Sequence, residues 1–275
     1  MYITCHIESF SHQLRAEAFE FFASEAAGLR ISSVTDRSFA LTVSGVNLSS
    51  MGSKHVLHHA HLVVSNFLIA LNIASLGYFT WAQRPLTHPV YQVQRDASEK
   101  EAEFVAITSL RSREYTDLRV LSDLEVENAI IIFGMLTREI SQKVREEYVK
   151  GLIHFGLDFA DVSFFREAFW NFFRSFEYFV TKHVLGQKRL NNEMKDMQRA
   201  LSMLGAGPEL NDALKEVYSL RSSQVAHAQA EQADITQDDV IKAKTFADLV
   251  MYKTYRNKAE ELRSSYGPDQ HNELS

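Results

Sequence analysis

The chain has 275 residues, 45% hydrophobic and 23% charged, the balance of a soluble globular protein with room for one large domain or two ordinary ones. A net charge of −6 excludes a global basic field for nucleic acid, so such a partner has to be met by a local patch. The single cysteine, Cys5, excludes an internal disulfide and any multi-cysteine metal site, and fits a reducing cytoplasm.

The start, MYITCHIESF, lacks the basic residues and apolar run of a secretory signal. Ile3, Cys5 and Ile7 alternate with Thr4, His6 and Glu8, the period of a strand. SHQLRAEAFEFFASEAAG reads as a short amphipathic helix with Ser11 as N-cap, and LRISSV and SFALTVSG as strands. Between Lys54 and Arg84 there is no Asp, Glu, Lys or Arg. That stretch could cross a bilayer by length, but Ser65, Asn66, Asn72 and Ser75 argue for a buried helix over about residues 54–80, and no membrane contact is expected. Pro85 and Pro89 break the chain, and VYQVQR, EFVAITSL and YTDLRVL read as further strands. Residues 1–121 are therefore expected to be an α+β domain of five or six strands around a buried helix, its role not legible.

From Ser122 onward the pattern is helical. SDLEVENAIIIFGMLTREISQKVREEYVKGLIHF gives one helix or a pair, with Ser122 and Glu125 as a capping box. Ser163 is placed to cap the next helix, which stops at Gly186; another stops at Gly205 or Gly207. Pro208 opens the following helix, and Thr236 precedes the last, with Asp238 and Asp239 near its positive end. Residues 122–265 are expected to form an all-helical bundle, and 266–275 a disordered tail.

Three groups of residues invite a functional reading. His55, His58 and His59 have a spacing that can hold zinc, but no carboxylate or cysteine accompanies them, and they read as the polar first turn of the buried helix. No metal or other cofactor is expected. Phe164, Phe165, Phe169, Trp170, Phe172, Phe173, Phe176 and Phe179 surround their helix and read as core or dimer interface. Glu177 among them needs a partner, which an arginine of a neighbouring helix could supply.

The third group is Arg221 and His227 in YSLRSSQVAHAQAE. Arginine can hold a phosphate by two parallel bonds, and histidine can exchange a proton near neutral pH. Together they suffice for metal-free RNA cleavage. Six residues at about 100° each leave the pair roughly 120° apart on an ideal helix, so a shared face needs a kink or a second helix.

The helical half resembles the HEPN superfamily, whose motif is Arg, four to six residues, then His, late in a long helix. RSSQVAH fits with five intervening residues, behind an aromatic helix containing FRSFEYF and after LKEVYSL, and the wording is nearest the Apea-like branch. The similarity covers about residues 123–264 and does not reach the first domain. The resemblance implies a homodimer through the bundle, whose two motifs face one cleft and cleave RNA by transesterification without a metal, in a toxin or defence role. It gives His227 as general base or acid, Arg221 as phosphate binder and Glu177 as the residue orienting Arg221. Ser222 follows the arginine, where active members often carry Asn, Asp or His, and is left with a hydrogen-bonding role toward RNA. Lys182, Lys188 and Arg189 begin a basic stretch suited to the RNA backbone. The N-terminal domain, or a regulatory protein partner, would restrain or direct the activity. The alternative within the same resemblance is a non-catalytic dimerisation or ligand-binding module in which Arg221 and Glu177 are a structural ion pair.

Overall fold

In a computed structural model, residues 2–23, 28–44, 53–82, 90–94, 103–106, 118–156, 158–159, 162–226 and 234–265 are described. An N-terminal part mixes sheet and helix, and helices follow it, as the sequence pattern requires.

Strand β1 (Tyr2–Ser9) is the centre of an antiparallel sheet. β4 (Ser38–Ser44) pairs along its whole length on one side, with β3 (Leu29–Ser32) beyond it. On the other side β6 (Val90–Gln94) takes the first half of β1 and β5 (Phe79–Trp81) the second, and β7 (Glu103–Ala106) lies outside β6. The alternation read in β1 has the expected consequence: Ile3, Cys5 and Ile7 are buried. Burial pushes the Cys5 thiol well above its ordinary range, which leaves it unreactive.

Helix α1 (Ser53–Ser75) is the charge-free segment, and it packs against the sheet through β4 and β5 and against α2 (Asp123–Glu139), α3 (Gln142–Gly156) and α7 (Gln237–Ser265). Among the described residues it is the single helix long and apolar enough to span a bilayer, and most of that window is buried inside the protein. The helix is shorter than expected, because Asn72 and Ser75 divert the chain. The Asn72 amide donates to Leu68 O and Phe79 O, and its oxygen accepts from Phe79 N at 3.1 Å, which docks β5 onto the helix end. Ser75 Oγ donates to Leu71 O and accepts from Gly77 N, and Leu76 turns to φ 49°.

Ser11 does not cap a helix. His12–Gln13 form a short strand, β2, parallel to β8 (Arg119–Val120), and a 3-10 helix over Ala16–Ala23 replaces the expected amphipathic helix. Ser11 Oγ is taken up by Tyr78 N at 2.6 Å and His12 Nδ1 at 2.8 Å. His12 is fully buried, stacked on Phe79, with Arg119 Nη2 3.1 Å from Nε2. Arginine can only donate, so Nε2 accepts and the imidazole is neutral with its proton on Nδ1.

The helical part follows its caps. Ser122 and Glu125 form the capping box of α2, and a break at Ile140–Ser141 separates α2 from α3. Thr236 and Asp239 make the same reciprocal arrangement before α7. α4 (Phe165–Phe179) carries no side-chain cap, so Ser163, in a two-residue strand (β10, Val162–Ser163) paired with β9 (Asp158–Phe159), does not serve as one. α4 lies between α3 and α7. The contact with α3 is close, since a Cβ on Gly151 would fall 2.8 Å from the Phe172 ring. α4 passes into a π-helical turn, Val180–Val184, ended by Gly186 at φ 63°. α5 (Glu193–Met203), stopping at Gly205, and α6 (Pro208–Ala226) complete the described helices. The tail 266–275 lies outside the described residues.

The core is continuous across Leu121, joining sheet residues to residues of α2, α3, α4 and α7. At the join, Lys244 and Asp248 of α7 form a buried ion pair at 2.6 Å. Lys244 also donates to Gly77 O, and Tyr148 Oη donates to Asp248 at 2.5 Å. Burial pulls Lys244 down and Asp248 up, and each opposes the shift of the other.

Two predictions follow from this core. Lys244→Met alone leaves a buried carboxylate unpaired and is expected to cost about 3–5 kcal/mol in urea denaturation, whereas Lys244→Met with Asp248→Leu regains most of that loss. The second concerns pH. Burial holds His12 and His61 down at about 4, with Arg119 adding to the effect on His12 and His58 to that on His61. The folded pKa lies below the unfolded one, so their contribution is present at pH 7 and is lost as the pH falls from about 6.5 toward 4. The denaturation midpoint should drop across that window, and His61→Gln should flatten the drop.

Candidate Arg221 site and the neighbouring lysine groove

Arg221 lies near the end of α6, one turn after Tyr218, in a recess made by α4, α5 and α6. Val217 and Leu214 face the core and set the helix so that Tyr218 and Arg221 reach α5. There Asn192 Oδ1 accepts from Lys195 N, and Asp196 accepts from the backbone N–H groups of Asn191 and Asn192. These bonds fix the first turn of α5, whose first residue is Glu193.

Glu193 grips Arg221 with both oxygens, at 2.5 Å from Nη1 and 3.4 Å from Nη2. Tyr218 Oη donates to the same carboxylate at 3.0 Å and lies 3.4 Å from Nη1 as an acceptor. The guanidinium stands 5.4, 5.6 and 6.0 Å from the ring centres of Tyr218, Phe173 and Trp170. Of its five N–H bonds, three are engaged, one on Nη2 is left over, and Nε–H is buried with no acceptor among the described residues. The Arg221 side chain is 21% exposed.

The charges respond accordingly. Burial works against the Glu193 carboxylate, but the bonds from Arg221 and Tyr218 prevail and hold it below the usual carboxylate range. Burial opposes the charge on Arg221 as well, and Glu193 more than compensates. Tyr218 is raised, by burial and by its bond to Glu193.

Glu177 is not the residue that bonds Arg221. It is half-buried on α4, and burial together with the nearby Glu193 raises its pKa while Arg221 and Arg174 lower it. It acts on Arg221 through space, and Glu193 makes the bonds. Sequence spacing does not disclose Glu193, since it approaches from 28 residues away across a separate helix. Ser222 is partly exposed beside Arg221. His227 lies outside the described residues.

Lys182 and Lys188 belong to a different place, a groove of about 590 Å³ between the start of α3 and the π-helical turn, which Lys143 also lines. Arg189 is exposed and is not part of its lining. The aromatic stripe is core of this chain: Phe169, Phe172, Phe173, Phe176 and Phe179 are buried, and Trp170 keeps partial exposure toward Arg221. Among the described residues no three His, Cys, Asp or Glu side chains converge to hold a metal, and His55, His58 and His59 stay a set of helix side chains.

No family model matches the chain, and no curated protein or solved structure matches it.

The bidentate pair predicts its own energetics. Both partners keep contact with water, so Glu193→Gln should destabilise by only about 1 kcal/mol. Arg221→Lys, which keeps the charge but not the fork, should lose a similar amount, measured by thermal or urea denaturation.

Proposed function

We propose that the protein is a HEPN-like endoribonuclease that cleaves RNA without a metal at Arg221 and His227. The observation that carries the reading is the presentation of Arg221: a guanidinium locked by Glu193 and Tyr218 against aromatic rings, with one Nη2 N–H unengaged, six positions before His227.

In this reading His227 removes the proton from a ribose 2′-hydroxyl, and the 2′-oxygen attacks the adjacent phosphorus. The bond to the 5′-oxygen of the next nucleotide breaks, and that oxygen takes a proton from His227 of a second copy. The products are a 2′,3′-cyclic phosphate and a 5′-hydroxyl. Arg221 supports the charge gathering on the phosphoryl oxygens, and Ser222 hydrogen-bonds the strand beside it. A homodimer brings two such motifs to one cleft and removes the angular separation of the pair within one helix. Arg189 adds an exposed cation for the RNA backbone. A toxin or defence role, with the N-terminal part or a protein partner restraining the activity, is in keeping with the family resemblance. That resemblance is an analogy of pattern.

A second reading is favoured by the same ion pair. Glu193 nearly neutralises Arg221, as suits a clamp between α5 and α6 in a non-catalytic module. Cleavage of an RNA panel in EDTA separates the two. The nuclease reading expects cyclic phosphate ends, with activity falling at least about 100-fold in both Arg221→Ala and His227→Ala. A folded dimer that cleaves none of the panel would establish the clamp reading instead.

A further inference from the structure

We propose that the groove beside the π-helical turn is a binding site for a small molecule carrying a di- or triphosphate chain, separate from the Arg221 site. Its lining is Ser141, Gln142, Lys143, Tyr178, Thr181, Lys182, Gly186, Gln187 and Lys188. This lining has three lysines and no Asp or Glu, in a chain whose net charge is −6. Among the described residues none of the three lysines makes an ion pair, whereas Lys150, Lys215, Lys242, Lys244 and Lys258 all do. Among the described residues the one carboxylate bonded to a lining side chain is Glu146, which accepts from the Gln142 amide at 2.5 Å.

Three uncompensated cations brought to one concavity repel one another, and a polyanion relieves that repulsion. The lysines come from two places, Lys143 from the first turn of α3 and Lys182 and Lys188 from the π-helical turn and the segment after it, so separate elements bring them to one groove. That geometry suits a short, densely charged chain better than an extended strand. The volume of about 590 Å³ is within the range of roughly 300–1,000 Å³ of small-molecule sites. Tyr178, with Lys143 Nζ 5.4 Å from its ring centre, supplies a flat wall for the remainder of the ligand.

The groove is also preformed. Leu185 N bonds Val180 O and Gln187 N bonds Thr181 O, which widens the turn and carries Lys182 and Lys188 round to α3. His183, in the same turn, accepts from Ser141 N at 3.3 Å. That bond needs the neutral ring, and burial together with Lys258 and Lys182 lowers the His183 pKa. Gly186 at φ 63° makes the return possible.

The test is calorimetric titration of the full chain with inorganic tripolyphosphate, with ATP in EDTA, and with a single-stranded RNA oligonucleotide. Wild type and His227→Ala should bind one tripolyphosphate per chain and also bind ATP. Lys182→Glu with Lys188→Glu should weaken both at least tenfold, and the milder Lys182→Gln with Lys188→Gln should weaken them less. Circular dichroism should show all variants folded, since both lysines are exposed. Absence of tripolyphosphate and ATP binding to wild type would overturn the proposal, as would unchanged affinity in the charge-reversed variant. Binding of the RNA alone would overturn it too, making the groove a track for a strand. Nuclease activity has no part in these measurements, so loss of the ribonuclease reading would leave this result standing.

Discussion

From Val64 to Ile73 helix α1 is covered on every side, and that requirement organises the fold. Twenty-three residues without an acidic side chain, and with Lys54 as the sole Lys or Arg at the first turn, offer water no polar face over most of their length. The sheet covers one side of α1, and α2, α3 and α7 cover the other. A sheet domain and a helical bundle that share such an element cannot have separate cores. The polar groups at the end of α1 are what make its burial affordable. Asn72 and Ser75 satisfy backbone groups of the helix and of β5, and Lys244 reaches from α7 to cap Gly77 O.

That join explains what the sequence disclosed and what it hid. Hydrophobic period and local capping are properties of neighbouring residues, and they were legible: β1, β4, the box at Ser122–Glu125, Thr236 at the head of the last helix, and the stop at Gly186, whereas the pattern after Ser122 fits one helix or a pair and does not itself place the break at Ile140–Ser141. Partnerships between distant segments were not. β5 falls inside an apolar run that continues the helical pattern, and the Asn72 side chain, bonding seven residues ahead, decides where helix gives way to strand. Ser11 has the identity of a cap, yet Tyr78 N claims it from 67 residues away. The arginine–carboxylate pairing was anticipated in kind, with Glu177 as the acid. Glu193 has it because the Asn192 and Asp196 bonds hold the first turn of α5 against Tyr218 and Arg221.

Helix α4 links both candidate sites to that core. Phe169, Phe172, Phe173, Phe176 and Phe179 are buried and the helix packs against α3 and α7, and Trp170, Glu177 and Tyr178 lie partly exposed on its margin. Trp170 and Phe173 form the floor under Arg221, while Tyr178 opens into the lysine groove. The π-helical turn then alters the helical register at the point where the polar surface begins, so that Thr181 and Lys182 line the groove with Tyr178. A rigid aromatic element with polar groups at its edge holds those groups to a defined geometry without spending their own hydrogen bonds on the task.

The two sites differ most in net charge, and this bears on how each can work. Arg221 is paired with Glu193, so the pair as a whole attracts an approaching phosphate weakly, and Glu177 nearby makes the field less favourable still. On the proposed reading, recognition there comes from direction, from the remaining Nη2 N–H of a guanidinium held by Glu193 and Tyr218. Long-range attraction falls to cations that carry no counter-charge, and among the described residues Lys143, Lys182 and Lys188 are such a set in one concavity. In a protein of net charge −6, three lysines gathered in one groove without an ion pair among the described residues are a local excess of positive charge, whereas the charge of Arg221 is largely balanced by Glu193.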